Sequence, residues 1–166
     1  MRIMIIVLLT LVPFLSEAQE YPCAFIRYFN ECVNVFQNPI GHEVKCQVFQ
    51  DSINETNYYK VELLEKSPLR FKVRMQAYDF SPTITGWLDK ECIAVYPRFL
   101  NNRNIVLYEA PGINPISISL KDELNQTFTV LDYLDNKWLK VMFMMKNDIC
   151  IGWIDEYCPI IYNSCS

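Results

Sequence analysis

Few side chains in this sequence have the types and spacing that catalysis requires. A cysteine or serine hydrolase needs a histidine within hydrogen-bond reach of its nucleophile and a third group that orients the histidine. The 166 residues contain one histidine, His42, in the loop sequence PIGHEV, and no nucleophile motif surrounds any serine. Paired carboxylates for sugar hydrolysis remain an open alternative, because only their separation in space decides that role. The sequence therefore predicts a protein that is not an enzyme.

The cysteines are the next candidates for chemistry. No two of them are separated by the two to four residues that structural zinc sites use, so we expect neither a metal nor a cofactor. In an oxidising compartment we expect them to form two or three disulfides, with one thiol left over because the count is odd. The seven residues are Cys23, Cys32, Cys46, Cys92, Cys150, Cys158 and Cys165.

The N-terminus indicates that the protein reaches such a compartment. Residues 1–18, MRIMIIVLLTLVPFLSEA, have a basic residue at Arg2, an apolar run, and small residues at Ser16 and Ala18 that suit a signal peptidase. The apolar run is shorter than the roughly 20 residues that a transmembrane helix needs. We therefore expect a secreted or periplasmic protein with a cleaved signal peptide and no membrane span in the mature chain.

Composition and periodicity indicate the fold class. The chain has 15 Lys and Arg against 19 Asp and Glu, which suggests neither a nucleic-acid partner nor an anionic membrane surface. Hydrophobic residues make up 51%, enough to build a core. The segments 71–75 (FKVRM), 127–134 (TFTVLDYL) and 137–145 (KWLKVMFMM) are short, rich in β-branched and aromatic residues, and separated by polar turns. The sequence predicts an all-β fold of the sandwich or barrel type.

One phrase occurs twice in the mature chain, and its surroundings repeat with it. The sequence GWLDKEC at 86–92 returns as GWIDEYC at 152–158. The matches continue upstream with two more pairs of segments: FKVRM and LKVMF, VFQNP and LYEAP. The chain is therefore predicted to contain two copies of one module, at about 33–98 and 104–162, after an N-terminal segment at 19–32.

The second copy, from LYEAP to GWIDEYC, resembles a bacterial SH3-like (SH3b) domain. It has an opening strand, a proline-bearing loop, a strand with TVLD, a hairpin, KWLKV, a second hairpin and GWI, in that order. The first copy lacks a tryptophan before FKV and carries a polar insertion around QDSINETNYY. The resemblance implies two tandem small SH3-like β-barrels, which in this family serve as targeting or ligand-recognition modules for cell-wall enzymes and exported proteins.

Six residues of the repeated phrase are predicted to have structural roles. The glycines are expected to let the backbone bend or lie close to a neighbouring strand. The tryptophans that follow are expected to cover the core, although a place in a groove between loops remains open. The cysteines are expected to tie down the same corner of each repeat. The residues are Gly86, Trp87, Cys92, Gly152, Trp153 and Cys158.

A ligand site is predicted in the second copy, extending to the crevice between the copies. Tyr108, Tyr133 and Trp138 could converge on one face, with Asp135 supplying a polar contact at a hairpin tip. The sequence thus favours a binding module that recognises a cell-wall peptide, a glycan or another exported protein. The alternative is a small secreted inhibitor or immunity-type protein that inserts a loop, such as DSINETNYY, into a partner enzyme.

Overall fold

Short segments of alternately buried and exposed residues form the strands of this protein. In β5 (Arg70–Ala77), Val73, Met75 and Ala77 are buried, whereas the residues between them, Arg74 and Gln76, are exposed. Successive side chains of a strand point to opposite faces of the sheet, so such a segment buries one face and leaves the other in water.

The structure is a computed structural model that describes residues 21–27, 32–49, 59–77, 82–98, 104–120 and 126–158. Most of the described part is strand, which confirms the all-β class, and this part contains no helix long and apolar enough to cross a membrane. Besides β5, the elements are β1 (Cys23–Ile26), β2 (Cys32–Phe36), β3 (Val44–Phe49), β4 (Tyr59–Lys66), β6 (Ile84–Asp89), a 3-10 turn (Lys90–Cys92), β7 (Ile93–Pro97), β8 (Asn104–Ala110), β9 (Ile113–Ser119), β10 (Phe128–Leu134), β11 (Trp138–Met145), β12 (Asp148–Ile154) and β13 (Tyr157–Cys158).

The strands pair antiparallel in one open sheet. Their order is β3-β2-β6-β5-β4-β1-β7-β10-β11-β12-β8-β9, and β13 pairs with β7 beside this path. Strands β3 and β9 therefore lie at the two edges of the sheet.

The pairing pattern repeats within the sheet. The order β3-β2-β6-β5-β4, here called the first unit, is matched by β9-β8-β12-β11-β10, the second unit. Val73 pairs with Gly86 in the first unit as Val141 pairs with Gly152 in the second. Trp87 likewise pairs with Phe36 as Trp153 pairs with Tyr108. The repeated phrase thus occupies equivalent strands in the two units.

Strands β1 and β7 join the units. β1 pairs with β4 of the first unit and with β7, and β7 pairs in turn with β10 of the second unit. Residues Ile93, Ala94 and Val95 of β7 have no exposed surface. One apolar core therefore runs through both units and contains, among others, Leu63, Phe71, Val73, Phe128, Val141 and Phe143.

Each glycine of the repeated phrase allows a neighbouring strand to approach closely. A Cβ atom on Gly86 would lie 2.3 Å from Cγ1 of Val35, and one on Gly152 would lie 2.4 Å from Cγ of Leu107. Val35 of β2 and Leu107 of β8 are the first residues of the two matching segments VFQNP and LYEAP. Any side chain at either glycine would have to displace a core residue.

We expect Gly152→Ala to lower the free energy of unfolding by about 1–3 kcal/mol, because the added methyl overlaps Leu107 in a packed core. Chemical denaturation of Gly152→Ala, Leu107→Ala and the double variant measures this cost. The double variant should be destabilised by less than the two single variants together, since removing the Leu107 side chain makes room for the methyl. Strict additivity would contradict the assigned contact.

Candidate functional site

A pair of aromatic residues lies at one corner of the second unit. Tyr108 of β8 and Trp138, the first residue of β11, meet edge to face, with ring centroids 5.0 Å apart and an interplanar angle of 89°. Both residues are half-buried. Aromatic pairs of this geometry are stabilised by about 0.5–1.5 kcal/mol beyond their buried area, so the corner is preorganised.

Charged groups surround this aromatic pair. The ammonium of Lys137 lies 5.1 Å from the centroid of the Trp138 ring and 3.3 Å from Oδ2 of Asp155. A cleft of about 70 Å³ beside Tyr108 is lined by the ends of β7, β8 and β12, including Arg98, Asp155 and Glu156. Such a corner can stack against a flat or apolar group and offers charges of both signs for hydrogen bonds.

The equivalent corner of the first unit is filled by a side chain of that unit, Arg70. Arg70 occupies the position of Trp138, since each stands three residues before the valine that pairs with the glycine of the repeated phrase. Its guanidinium carbon lies 3.4 Å from the centroid of the Phe36 ring, and Nε donates a hydrogen bond to Oδ1 of Asp89 at 2.7 Å. Nη1 donates to the carbonyls of Asn38 and Gly41, at 3.1 and 2.8 Å.

This difference between the units distinguishes a structural corner from an open one. In the first unit the guanidinium of Arg70 stacks on the ring of Phe36, and its hydrogen bonds to backbone carbonyls hold the turn between β2 and β3. In the second unit the same location presents the aromatic rings of Tyr108 and Trp138. A buried guanidinium with three acceptors needs no ligand, whereas half-exposed aromatic rings can still gain contacts.

Two of the four predicted ligand residues do not lie in this aromatic pair. Tyr133 pairs across the strands with Leu139, a core residue, so its side chain lies on the opposite face from Trp138. There its ring contacts Phe71 at 5.7 Å and the ammonium of Lys66 at 5.3 Å, at the boundary between the units. Burial, followed by the nearby carboxylate of Asp132, raises the pKa of the Tyr133 hydroxyl.

Asp135 lies at the tip of the hairpin between β10 and β11. Its φ is 53°, a left-handed conformation that aspartate tolerates better than most residues. The side chain is exposed, and the hairpin closes between Leu134 and Trp138, so Asp135 stands near the indole without lining the cleft. The structure therefore joins Tyr108 with Trp138, leaves Asp135 at the rim and places Tyr133 elsewhere.

The tryptophans of the repeated phrase differ in exposure. Trp87 is buried at 9% exposure, whereas Trp153 is half-buried. Trp153 pairs with Tyr108 on one side and Lys140 on the other, so it lies on the same face of the sheet as Trp138. The surface of the second unit thus contains a third aromatic residue next to the Tyr108–Trp138 pair.

The prediction of two or three disulfides was wrong. Five of the seven cysteines are free thiols, so at most one disulfide can form. The free residues are Cys23, Cys32, Cys46, Cys92 and Cys150. Cys158 is disulfide-bonded, whereas Cys92 in the matching phrase is not, and the two cysteines therefore do not tie down the same corner.

Strand register keeps the thiols of Cys32 and Cys46 apart. Cys32 of β2 faces Phe49, three positions along β3 from Cys46. Three positions correspond to roughly 10 Å along a strand, beyond the Cα separation of about 7 Å that a disulfide can bridge. In the described part of the chain, no group of three or more His, Cys, Asp or Glu residues is arranged to hold a metal ion.

The sequence analysis missed Arg70, Lys137 and Asp155 as parts of these two corners. The signal was present in the difference between the copies, because LRFKV at 69–73 has Arg70 where KWLKV at 137–141 has Trp138. A position that changes from a cation to an aromatic residue within an otherwise matched pattern indicates a change in surface function.

Comparisons with protein-family models, curated proteins and solved structures gave no significant match to the chain. The assignment of function therefore rests on the geometry of the two corners.

Titration of the protein with Ellman's reagent in denaturant, without reductant, should detect five thiols. In the native protein Cys92 should react most slowly at pH 8, because burial, with Glu91 and Asp89 adding to it, raises its pKa to about 11. Its rate should increase about tenfold per pH unit as the thiolate population grows. The Cys92→Ser variant identifies this slow phase, and a count of three thiols or one would restore the multiple-disulfide framework.

Proposed function

We propose that this protein is a non-enzymatic, exported binding module made of two SH3-like units. Its ligand is a cell-wall peptide, a glycan or another exported protein, held at the Tyr108–Trp138 corner of the second unit. The observation that carries this proposal is the contrast with the first unit, where Arg70 covers the equivalent ring of Phe36. The repeated strand pairing of the two units supports the SH3-like assignment, and the sequence 1–18 supports export.

The aromatic corner would supply most of the binding free energy. Aromatic residues in preorganised positions lose little side-chain entropy when a ligand stacks on them, and they are enriched among residues that dominate binding. The 70 Å³ cleft beside Tyr108 can accept one small group of the ligand as an anchor. Lys137 and Asp155 then offer a cation and an anion for its polar atoms, and Asp135 at the hairpin tip adds a second anion.

The alternative function, inhibition of a partner enzyme, depends on a protruding loop. The candidate loop DSINETNYY, at 51–59, lies outside the described residues except for Tyr59. The described contacts support the binding module, because they bring the half-buried rings of Tyr108 and Trp138 together at one corner of the sheet.

We expect Trp138→Ala to weaken binding to purified cell wall, or to its protein partner in a periplasmic extract, by about 2 kcal/mol or more. The melting temperature should change little, because the indole is half-buried and lies on the outer face of the sheet. Sedimentation with insoluble cell wall and quantitative pull-down from the extract measure binding, while differential scanning calorimetry measures stability.

Phe49→Ala is the matched control for this experiment. Phe49 is 62% exposed on β3, at the opposite edge of the sheet, so its removal should change neither binding nor stability. Trp87→Ala, by contrast, should lower the free energy of unfolding by roughly 3–5 kcal/mol, since that ring is buried. Unaltered binding by a folded Trp138→Ala variant would refute the assigned corner.

A further inference from the structure

The outer face of the second unit is apolar over two neighbouring strands. Met142 of β11 pairs with Ile151 of β12, and Met144 pairs with Ile149, so all four side chains lie on one face. Met144 is 50% exposed, Ile149 64% and Ile151 51%. Contiguous exposed apolar side chains of this kind mark interaction sites more often than isolated ones do.

The first unit shows that the fold does not require this apolar face. Arg74 pairs with Thr85 at the position where Met142 pairs with Ile151. Arg74 also forms an ion pair with Glu62, and the equivalents of Met144 and Ile149 are the exposed residues Gln76 and Thr83. The same strand pairing is thus stable with a polar outer face, and the apolar residues of the second unit need another explanation.

Lys140 lies at the end of this face nearest Trp138, and among the described residues it forms no ion pair with a carboxylate. In the first unit Lys72 forms an ion pair with Glu65, the residue opposite it on β4. In the second unit Lys140 faces Asp132 in the same way, but Oδ1 of Asp132 instead accepts a hydrogen bond from Lys66 of the first unit at 2.8 Å. Among the described residues, no carboxylate forms an ion pair with Lys140.

We propose that this surface, the Met–Ile face, binds an extended polypeptide segment that carries aliphatic and acidic side chains. The Met–Ile face consists of Lys140, Met142, Met144, Ile149, Ile151 and Trp153. Aliphatic side chains of the segment pack on Met144, Ile149 and Ile151, and a carboxylate pairs with Lys140. Because Trp153 pairs with Tyr108, the Met–Ile face continues into the aromatic corner. The inference rests on the proposed function and specifies its ligand as a polypeptide rather than a glycan.

Charge decides against a second copy of this chain as the occupant. The Met–Ile face carries one cation and no carboxylate, so a second copy docked through the same face would bring a second unpaired lysine into an apolar interface. Burying an unpaired charge is costly, whereas an acidic partner would neutralise Lys140.

The shape of the surface decides against a small amphiphile. Pockets that enclose small molecules have volumes of about 300–1,000 Å³. The cleft beside Tyr108 holds about 70 Å³, and the Met–Ile face is an open sheet surface. A polypeptide can cover such a surface along its length, and the adaptable methionines suit a partner with varied aliphatic side chains.

The test uses the full mature protein and three fluorescein-labelled probe peptides that differ only in charge. Each has the pattern Ile-X-Val-X-Leu-X-Ile, with X as glutamate, serine or lysine, and binding is measured by fluorescence anisotropy. The glutamate peptide should bind at least about tenfold more tightly than the lysine peptide. The unaltered protein should also bind the glutamate peptide more tightly than the serine peptide. The Lys140→Gln variant should bind these two peptides equally.

The variants Ile149→Thr and Ile151→Thr test the apolar contacts. Each introduces the residue that the first unit carries at the same position, Thr83 or Thr85, so the fold tolerates it. The double variant should weaken binding of the glutamate peptide by about tenfold or more. Ile40→Thr makes the same change at a residue that is 77% exposed in the first unit, and it should leave binding unchanged.

Three results would overturn the proposal. The first is equal affinity for the glutamate and lysine peptides, or no saturable binding of the glutamate peptide. The second is a dimer in analytical ultracentrifugation that the double threonine variant dissociates, which would make a second copy the occupant. The third is capture by neutral phosphatidylcholine vesicles that the same variant abolishes. If Trp138→Ala removes cell-wall or partner binding while the double threonine variant does not, only the Met–Ile face assignment fails.

Discussion

Strand β7 is the constraint on which the rest of the structure depends. It pairs with β1, β10 and β13, and its residues Ile93–Val95 are sealed from solvent on both faces. The first unit reaches β7 through β1, and the second unit begins its pairing on it through β10. A strand used by both units cannot be removed from one without exposing the other. The two repeats therefore share one core and are expected to unfold as one cooperative system.

The shared framework restricts some positions and leaves others free. The glycines at 86 and 152 and the paired valines keep the same character in both units, because strand approach and core volume allow little else. The outer face has no such restriction. There Arg70 and Arg74 of the first unit correspond to Trp138 and Met142 of the second. The same strand framework thus carries a surface with paired charges in the first unit and an open apolar surface in the second. These substituted positions lie outside the core, so they can differ between the units without altering the packing of the strands.

The sequence predicted the strands because alternation of apolar and polar residues follows directly from strand geometry, and the segments that match in the sequence occupy equivalent strands of the sheet. It did not predict the face of the sheet on which Tyr133 lies, and the reason is local. A bulge between Val130 and Asp132 inserts one residue into β10, and a shift of one residue moves every later side chain to the opposite face. Without that bulge Tyr133 would share a face with Trp138. The cysteine pairing failed for a global reason, since register between strands depends on the whole sheet order.

The pairings of β1 and β13 also join the two ends of the described chain to its middle. β1 is the first described strand and β13 the last, and both pair with β7, which lies between the two units. Removing either end strand would leave backbone N–H and C=O groups of β7 without their partners, and such groups are costly to leave unpaired when buried. A truncation at one end of 21–158 is therefore expected to weaken the strand on which the unit at the other end also depends.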